Sequence, residues 1–257
     1  TSTEGGVTVM FFDSFPTIEY NFGNGGVKIA DLFRQVKIVD RRFDSATPYQ
    51  FYEVQDERPD QLSERLYGDP NYHWSFFIIN DTLKGGHKEW PLTSIELRDY
   101  IQTKYPENLY AITMYRDESQ VYNANSIHNK FLEGRTLRGL DSGAEATIIK
   151  RNPEINQLVV EYKTSTKFSS TEQIIEVAGT GIIGSNRDLL PYAESTAYYK
   201  DSNDELFSNS ENIRRPDLSV TYRQSEEAIN DSKRFIRVLR SSYIRDFAIS
   251  FRKLING

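Results

Sequence analysis

The sequence has no cysteine, which excludes disulfide bonds and thiolate metal sites. No apolar run approaches the roughly 18–20 residues that a helix needs to cross a bilayer. The first six residues have neither a basic region nor an apolar core, so we expect no secretory signal there. The three histidines, His73, His87 and His128, are scattered without metal-ligand spacing. We therefore expect a soluble chain that binds no metal, no cofactor and no membrane.

Recognised catalytic motifs are also missing. There is no Gly-x-Ser-x-Gly, no His-Glu-x-x-His and no calcium loop. Asp56, Glu57 and Asp60 cluster in one segment, and a glycosidase needs two carboxylates across one cleft. Charged loop residues are more often solvated than catalytic. The sequence therefore predicts no catalytic residues.

Charge and composition describe what the chain does contain. The formal net charge of −6 disfavours nucleic-acid binding, which depends on Lys and Arg neutralising phosphates. Hydrophobic residues make up only 38%, and the mean hydropathy is −0.59. The 16 Tyr and 15 Phe are many for so polar a chain. Aromatic side chains bury large areas and are enriched at interfaces, so this composition favours small domains that complete their burial against partners.

Local patterns divide the chain into segments of an α+β protein. Short strands between turns at 131–177 predict a small β-barrel of SH3-like size, with a hairpin at Asn152-Pro153. The predicted segments are an extended N-terminal arm at 1–48, a compact module plus a following helix at 49–105, a connection at 106–127, a small β-rich domain at 128–178, a linker or wrapping segment at 179–224 and a helical region at 225–257.

The pattern is clearest between residues 49 and 105. Apolar residues at strand or helix spacing, separated by turn residues, predict the elements in order. They are a strand at Tyr49 to Val54, a helix at Asp60 to Leu66 stopped by Gly68 and Pro70, a second helix at Tyr72 to Ile79, and an amphipathic helix from Ser94 that ends before Pro106.

The last segment has an apolar stripe with a mostly basic opposite face. Apolar residues recur at steps of three or four, and Ser241-Ser242 divides the pattern. The stripe could lie on a membrane surface, pack within its own domain or bind a partner helix. The acidity of the chain argues against the membrane. We expect packing against a partner or another subunit, and predict that a chain lacking 225–257 keeps a folded module but no longer assembles.

Several short motifs resemble a LysM module, a βααβ fold. They are Tyr52-Glu53-Val54-Gln55, Leu62-Ser63, Leu66-Tyr67-Gly68-Asp69 and Ile79-Asn80. A wider set is similar to the baseplate wedge subunit (gene product fifty-three) family of T-even-like contractile-tailed bacteriophages. That set comprises Phe15-Pro16, Arg58-Pro59, Tyr67-Gly68-Asp69-Pro70, Trp74, Asn80-Asp81 and Trp90-Pro91-Leu92, with Ile229-Asn230, Arg237-Val238-Leu239, Tyr243 and Phe251-Arg252 near the end.

This resemblance implies a structural, non-enzymatic role in the virion. It implies a subunit of the phage tail baseplate, assembled in the host cytoplasm, that binds long bundled wedge subunits and a sheath-initiator-like subunit and helps to join neighbouring wedges into a ring. The predicted partner-binding residues are Tyr67, Tyr72, Trp74, Ile236, Leu239, Tyr243, Phe247 and Phe251.

Two alternatives remain open from the sequence. The LysM-like module could bind peptidoglycan in a tail or cell-wall protein, or the chain could be a wall hydrolase. Asp56-Glu57 replaces the usual LysM glycine after the first strand, and Arg58-Pro59 lengthens the loop that borders the glycan groove. This departure disfavours saccharide binding.

Overall fold

The structure is a computed structural model that describes residues 16–21, 23, 26–30, 43–116, 127, 130–209 and 212–256. Most of the predicted N-terminal arm at 1–48 lies outside these residues. Within the predicted N-terminal arm, β1 (Thr17–Asn21) and β2 (Gly26–Ala30) form an antiparallel hairpin.

The chain divides into two compact units. The first comprises residues 1–93 and 230–257, and the second comprises residues 94–229. The first unit is therefore discontinuous in sequence, with the second unit inserted between its two parts.

Besides the hairpin, the described part of the first unit contains two strands and three complete α-helices. Its elements are β3 (Tyr49–Glu53), α1 (Pro59–Tyr67), α2 (Trp74–Ile79), β14 (Phe235–Leu239) and α5 (Ile244–Asn256), while α4 (Tyr222–Arg234) crosses the boundary between the units. A 3-10 turn at Pro70–Tyr72 connects α1 to α2. Proline at the first position of α1 and Gly68 after its end, with φ 72°, set the two limits of that helix.

The only sheet partner of β3 among the described residues is β14, almost 190 residues later. The two strands are antiparallel, with Tyr49 opposite Leu239 and Glu53 opposite Phe235. One face of this pair packs on α1 and α2, because Tyr52, Ile236 and Val238 join a cluster with side chains of both helices. Residues from the C-terminal part of the chain thus complete the core that β3, α1 and α2 begin.

The second unit contains a strongly curved antiparallel sheet that is close to a closed barrel. Its strands follow the spatial order β10-β4-β7-β6-β5-β8-β9. They are β4 (Leu109–Met114), β5 (Thr136–Gly139), β6 (Glu145–Asn152), β7 (Gln157–Tyr162), β8 (Ile174–Glu176), β9 (Ile182–Ile183) and β10 (Arg187–Pro191). The other elements are α3 (Ser94–Lys104) and a three-stranded sheet of β11 (Thr196–Lys200), β12 (Leu206–Phe207) and β13 (Ser219–Thr221).

The two faces of the barrel strands are buried differently. Alternate residues of β7 point to opposite faces of the sheet. Leu158 and Val160 enter the barrel core, whereas Val159 joins a second cluster with Ile101 of α3 and with Tyr105, which follows that helix. Since both faces of β7 are covered at these positions, residues 158–160 form a continuous apolar run instead of an alternating pattern.

The mixed helix and strand content agrees with the predicted α+β class, and the hairpin of β6 and β7 around Asn152-Pro153 is confirmed. Two expectations about secondary structure need correction. The sheet extends beyond 128–178, because β4 and β10 belong to it. The region 225–257 is not helical throughout, since β14 separates its helices. Residues 179–224 contain β9 to β13 and belong to the second unit. None of the helices described here has the length and apolar character of a membrane span.

Candidate functional site

The C-terminal helix α5 covers Trp74 within the first unit. The Trp74 ring stacks on Phe247 with centroids 5.9 Å apart, and on Phe251 with centroids 4.8 Å apart. All three side chains are buried, as are Ile244 and Ile255 on the same helix. This face of α5 is therefore part of the core.

Ile236 and Leu239 were predicted on a helical stripe, but they lie on β14. Ile236 is only 1% exposed and packs with Tyr52, while Leu239 is fully buried beside Trp74. The sequence predicted a helix here because the apolar residues of β14 continue the helical spacing of the apolar residues in α4.

The stripe therefore packs mainly within its own unit, which corrects the expectation that it faces a partner. Five of the eight predicted partner-binding residues are buried in the first unit: Trp74, Ile236, Leu239, Phe247 and Phe251. The other three, Tyr67, Tyr72 and Tyr243, are partly buried at the margin of the same core. Of the eight, only these three have surface that a neighbouring protein could contact.

A cleft of about 440 Å³ lies beside these tyrosines. Its two sides are the turn after α1 and the turn before α5. It is lined by Tyr67, Gly68, Asp69, Tyr72, Ser241, Ser242, Ile244 and Arg245. The structure thus brings Tyr67 and Tyr72 together with the predicted break at Ser241-Ser242, while Tyr243 packs against the core.

Hydrogen bonds fix the first side of the cleft. The hydroxyl of Ser63 donates to the carbonyl of Asp69 over 2.6 Å, and the Asp69 carboxylate accepts from the backbone N–H of Asn71 over 2.8 Å. Tyr67 and Tyr72 meet edge to face, with ring centroids 6.1 Å apart. These contacts make the wall preformed, so a partner would lose little conformational entropy by binding it.

The second side of the cleft offers polar groups to solvent. Ser241, Ser242 and Arg245 are exposed, and Tyr243 N–H donates to the Arg240 carbonyl over 2.9 Å to close the turn. On the opposite side, burial raises the pKa of Tyr67 to about 12, against the lowering effect of Ser75 and of the Leu239 backbone. The phenol therefore stays neutral at physiological pH, and the cleft combines aromatic surface with one cation and one carboxylate.

The carboxylates that could have suggested hydrolysis are all in ion pairs. Asp56 pairs with Arg234 at 3.3 Å, Glu57 with Arg65 at 2.5 Å and Asp60 with Arg58 at 2.6 Å. The side-chain hydrogen bond from Arg58 lowers the pKa of Asp60, while burial raises that of Glu57. The Glu57 carbonyl also accepts from the indole N–H of Trp90 over 2.9 Å. This loop is held by structural contacts.

Asn80 has a role that the sequence did not reveal. Its amide N–H₂ donates to the carbonyls of Phe76 and Arg237, each over 2.8 Å, and its amide oxygen accepts from the Arg237 N–H over 2.8 Å. The side chain thereby pairs with β14 as a neighbouring strand would. An Asn directly after a helix was the available signal, but its partner lies 157 residues away.

An exposed aromatic pair was also missed. The rings of Phe51 on β3 and Phe235 on β14 stack with centroids 5.4 Å apart and an interplanar angle of 9°. Phe51 is 69% exposed and Phe235 is 64% exposed. Sequence alone could place Phe51 on a strand but could not show which face of that strand is exposed to solvent.

The histidines give no indication of a metal site. His73 and His87 have ring centroids 5.9 Å apart, and His73 Nδ1 lies 2.9 Å from the Pro70 carbonyl. His128 lies outside the described residues. Within the described ranges, no group of three or more potential ligands could hold a metal ion.

Residues 10–98 match the model of the family described as Base plate wedge protein 53, which confirms the resemblance found from the motifs. The match indicates a structural role in the baseplate of a phage virion, and the family is not one of known enzymes. It covers the first part of the first unit and ends within α3. No curated protein matches the chain.

Proposed function

We propose, from the premise that residues 10–98 carry the signature of the baseplate wedge family, that the first unit binds other wedge proteins and helps to join neighbouring wedges into the ring. The family match carries this proposal. The partners that the resemblance implies are long bundled wedge subunits and a sheath-initiator-like subunit, and assembly would take place in the host cytoplasm.

We also interpret the core of the first unit as a LysM-like module with an unusual chain order. β3, α1, α2 and β14 supply a βααβ set in space, with the two strands antiparallel and both helices on one face. The closing strand, however, comes after the inserted second unit and not directly after α2. Such a compact block suits assembly, because a rigid surface loses little entropy when a partner binds it.

The cleft is the surface that best fits this role. It combines the partly buried rings of Tyr67 and Tyr72 with the exposed cation of Arg245. Tyrosine and arginine are enriched where proteins bind each other tightly, because each offers apolar area together with hydrogen-bond donors. We infer that a side chain or short segment of another wedge protein inserts between the two turns.

The substitution Ser242→Trp tests this proposal by filling the cleft without removing a buried contact. Ser242 is exposed, so the unit should keep its fold, while the indole occupies part of the space that a partner needs. We expect wedges co-assembled with the other baseplate proteins to contain at least about tenfold less of the variant than of the wild-type chain. The measurement is the stoichiometry of the chain in wedges isolated by sedimentation.

Ser165→Trp is the matched control, since Ser165 is an exposed serine of the second unit. It should enter wedges like the wild-type chain. If Ser242→Trp is folded and also enters wedges at full stoichiometry, the cleft is not a docking site. If the wild-type chain does not sediment with the wedge proteins at all, the proposed function itself is wrong.

A further inference from the structure

The sheet of β3 and β14 has two outer edges, and they differ. On the β14 side, the carboxamide of Asn80 pairs with both backbone groups of Arg237. That edge is occupied by the chain itself. On the other side, β3 is the outer strand of a two-stranded sheet, and no further strand of the described residues pairs with it.

The register shows which backbone groups of β3 point outward. Val54 N–H donates to the Arg234 carbonyl and Arg240 N–H donates to the Pro48 carbonyl, both over 2.8 Å. In an antiparallel pair, hydrogen-bonded positions alternate with positions whose groups face away. Phe51 and Glu53 therefore direct N–H and C=O groups away from β14, and no described residue pairs with them.

This open edge has no lysine, proline or bulge within β3. Exposed edge strands usually carry lysine, proline or a bulge that prevents pairing with another chain. The sequence of β3 is YQFYE, paired with β14 in unbroken register. It exposes the Phe51 ring, stacked on Phe235, beside the unpaired backbone groups.

The charges beside this edge have both signs, but the cations lie against Tyr49: Arg240 Nε is 3.4 Å from the Tyr49 carbonyl, and the Arg237 guanidinium is 4.5 Å from the centroid of the Tyr49 ring. Glu53 lies two residues beyond Phe51 and on the same face of the strand. Asp44 lies near the other end: burial raises the pKa of Tyr49, Arg237 lowers it, and Asp44 raises it by a smaller effect. Both carboxylates are exposed and make no ion pair with the described residues. A strand that complements this edge would carry positive charge next to Glu53.

We propose that the outer edge of β3 is a strand-addition site that receives an extended segment of another protein. The segment would carry an apolar or aromatic side chain next to Phe51 and a lysine or arginine next to Glu53, two residues apart on one face. Backbone hydrogen bonds to Phe51 and Glu53 would hold the segment, and the side chains would select it. This site is separate from the cleft, so it does not depend on the assignment made there.

Amide hydrogen exchange of the free chain and of purified baseplates containing it tests the proposal. In the free chain, the amides of Phe51 and Glu53 should exchange rapidly, whereas those of Tyr52 and Val54 are protected by β14. In baseplates, we expect the amides of Phe51 and Glu53 to exchange at least about 100-fold more slowly. Unchanged exchange at both positions in the baseplate would overturn the proposal.

Two substitutions separate backbone pairing from side-chain contact. Phe51→Ala removes the ring, and Phe51→Pro also removes an N–H that the fold does not use, which an edge strand tolerates. We expect Phe51→Pro to be retained about fivefold less than Phe51→Ala in assembled baseplates. Equal retention would contradict strand addition. Ile249→Ala, at an exposed apolar position of α5, is the control and should be retained normally.

Two further measurements keep the test decisive. If Phe51→Pro does not fold, Glu53→Lys replaces it, and full retention of that charge reversal would contradict the expected basic segment. If the isolated chain dimerises at high concentration and the Phe51 amide becomes protected there, the occupant is a second copy and the assignment to another protein is overturned.

Discussion

Ending the chain after Leu239 would remove α5 while keeping β14. The helix buries four large apolar side chains, Ile244, Phe247, Phe251 and Ile255, against the first unit. At about 1.5–3 kcal/mol for each buried side chain, the loss is roughly 6–12 kcal/mol. Domain stabilities are about 5–15 kcal/mol, so the first unit should unfold. Trp74 would also lose its stacking contacts with Phe247 and Phe251.

Hydrogen exchange of the truncated chain is the appropriate assay, because it reports each unit separately. Peptides from β3, α1 and α2 should lose their protection, while those from β6 and β7 should keep it. Native protection throughout the first unit would refute the reasoning, and would support the original expectation that this region folds without its C-terminal part.

A pair of single substitutions checks the same claim without truncation. Phe247→Ala should lower the free energy of unfolding of the first unit by about 3–5 kcal/mol, because the ring is buried beside Trp74. Ile249→Ala on the same helix should change it by less than about 0.5 kcal/mol, since that side chain is 53% exposed. Similar effects for the two variants in chemical denaturation would contradict the assigned packing of α5.

Three other predictions concern single features of the fold. Asn80→Ala should destabilise the first unit by about 2–4 kcal/mol, because it leaves the backbone groups of Arg237 unpaired. Urea denaturation measures this loss, and an unchanged free energy of unfolding would contradict the strand-like pairing of Asn80. Replacing residues 94–229 by a short Gly-Ser linker should leave a first unit that melts cooperatively, because Leu92 N–H donates to the Asn230 side chain over 2.7 Å and so joins the ends of its two chain segments. A variant without a melting transition would show that the first unit does not fold by itself. Glu172 is buried, which alone would raise its pKa, but hydrogen bonds from Ser142, Ser169 and Asp141 hold the pKa below its ordinary value. Its contribution to stability is therefore present above the unfolded pKa and lost as pH falls through the folded one, and Glu172→Gln should flatten this acid dependence in thermal melts.

The local elements of the first unit could be predicted from the sequence because their signals are local. Proline and glycine mark both ends of α1, and apolar residues at strand or helix spacing locate β3, α2 and α3. These features depend on residues a few positions apart, which a single sequence displays directly.

β14 could not be predicted in the same way. Its sequence FIRVL follows α4 without a turn residue, and its apolar positions continue the spacing of the helix. The observed burial instead alternates at Phe235, Ile236, Arg237 and Val238, as a strand requires. Pairing with β3, almost 190 residues earlier, selects the strand, and no local pattern contains that information.

The candidate site was only partly predictable for a related reason. The aromatic content is evident from the sequence, but composition does not distinguish a ring that completes a core from one that meets a partner. Trp74 and Phe247 stack on each other in the interior, whereas Phe51, which carries no distinguishing local pattern, is exposed. Only the fold separates these cases.

A photo-cross-linking amino acid placed at position 242 tests the central claim most directly, because it reports what lies against the cleft in an assembled baseplate. We predict covalent products between this chain and another baseplate protein, and none from a cross-linker placed at position 165. Products confined to this chain itself, in baseplates that contain it at normal stoichiometry, would contradict the claim that the cleft is a docking site.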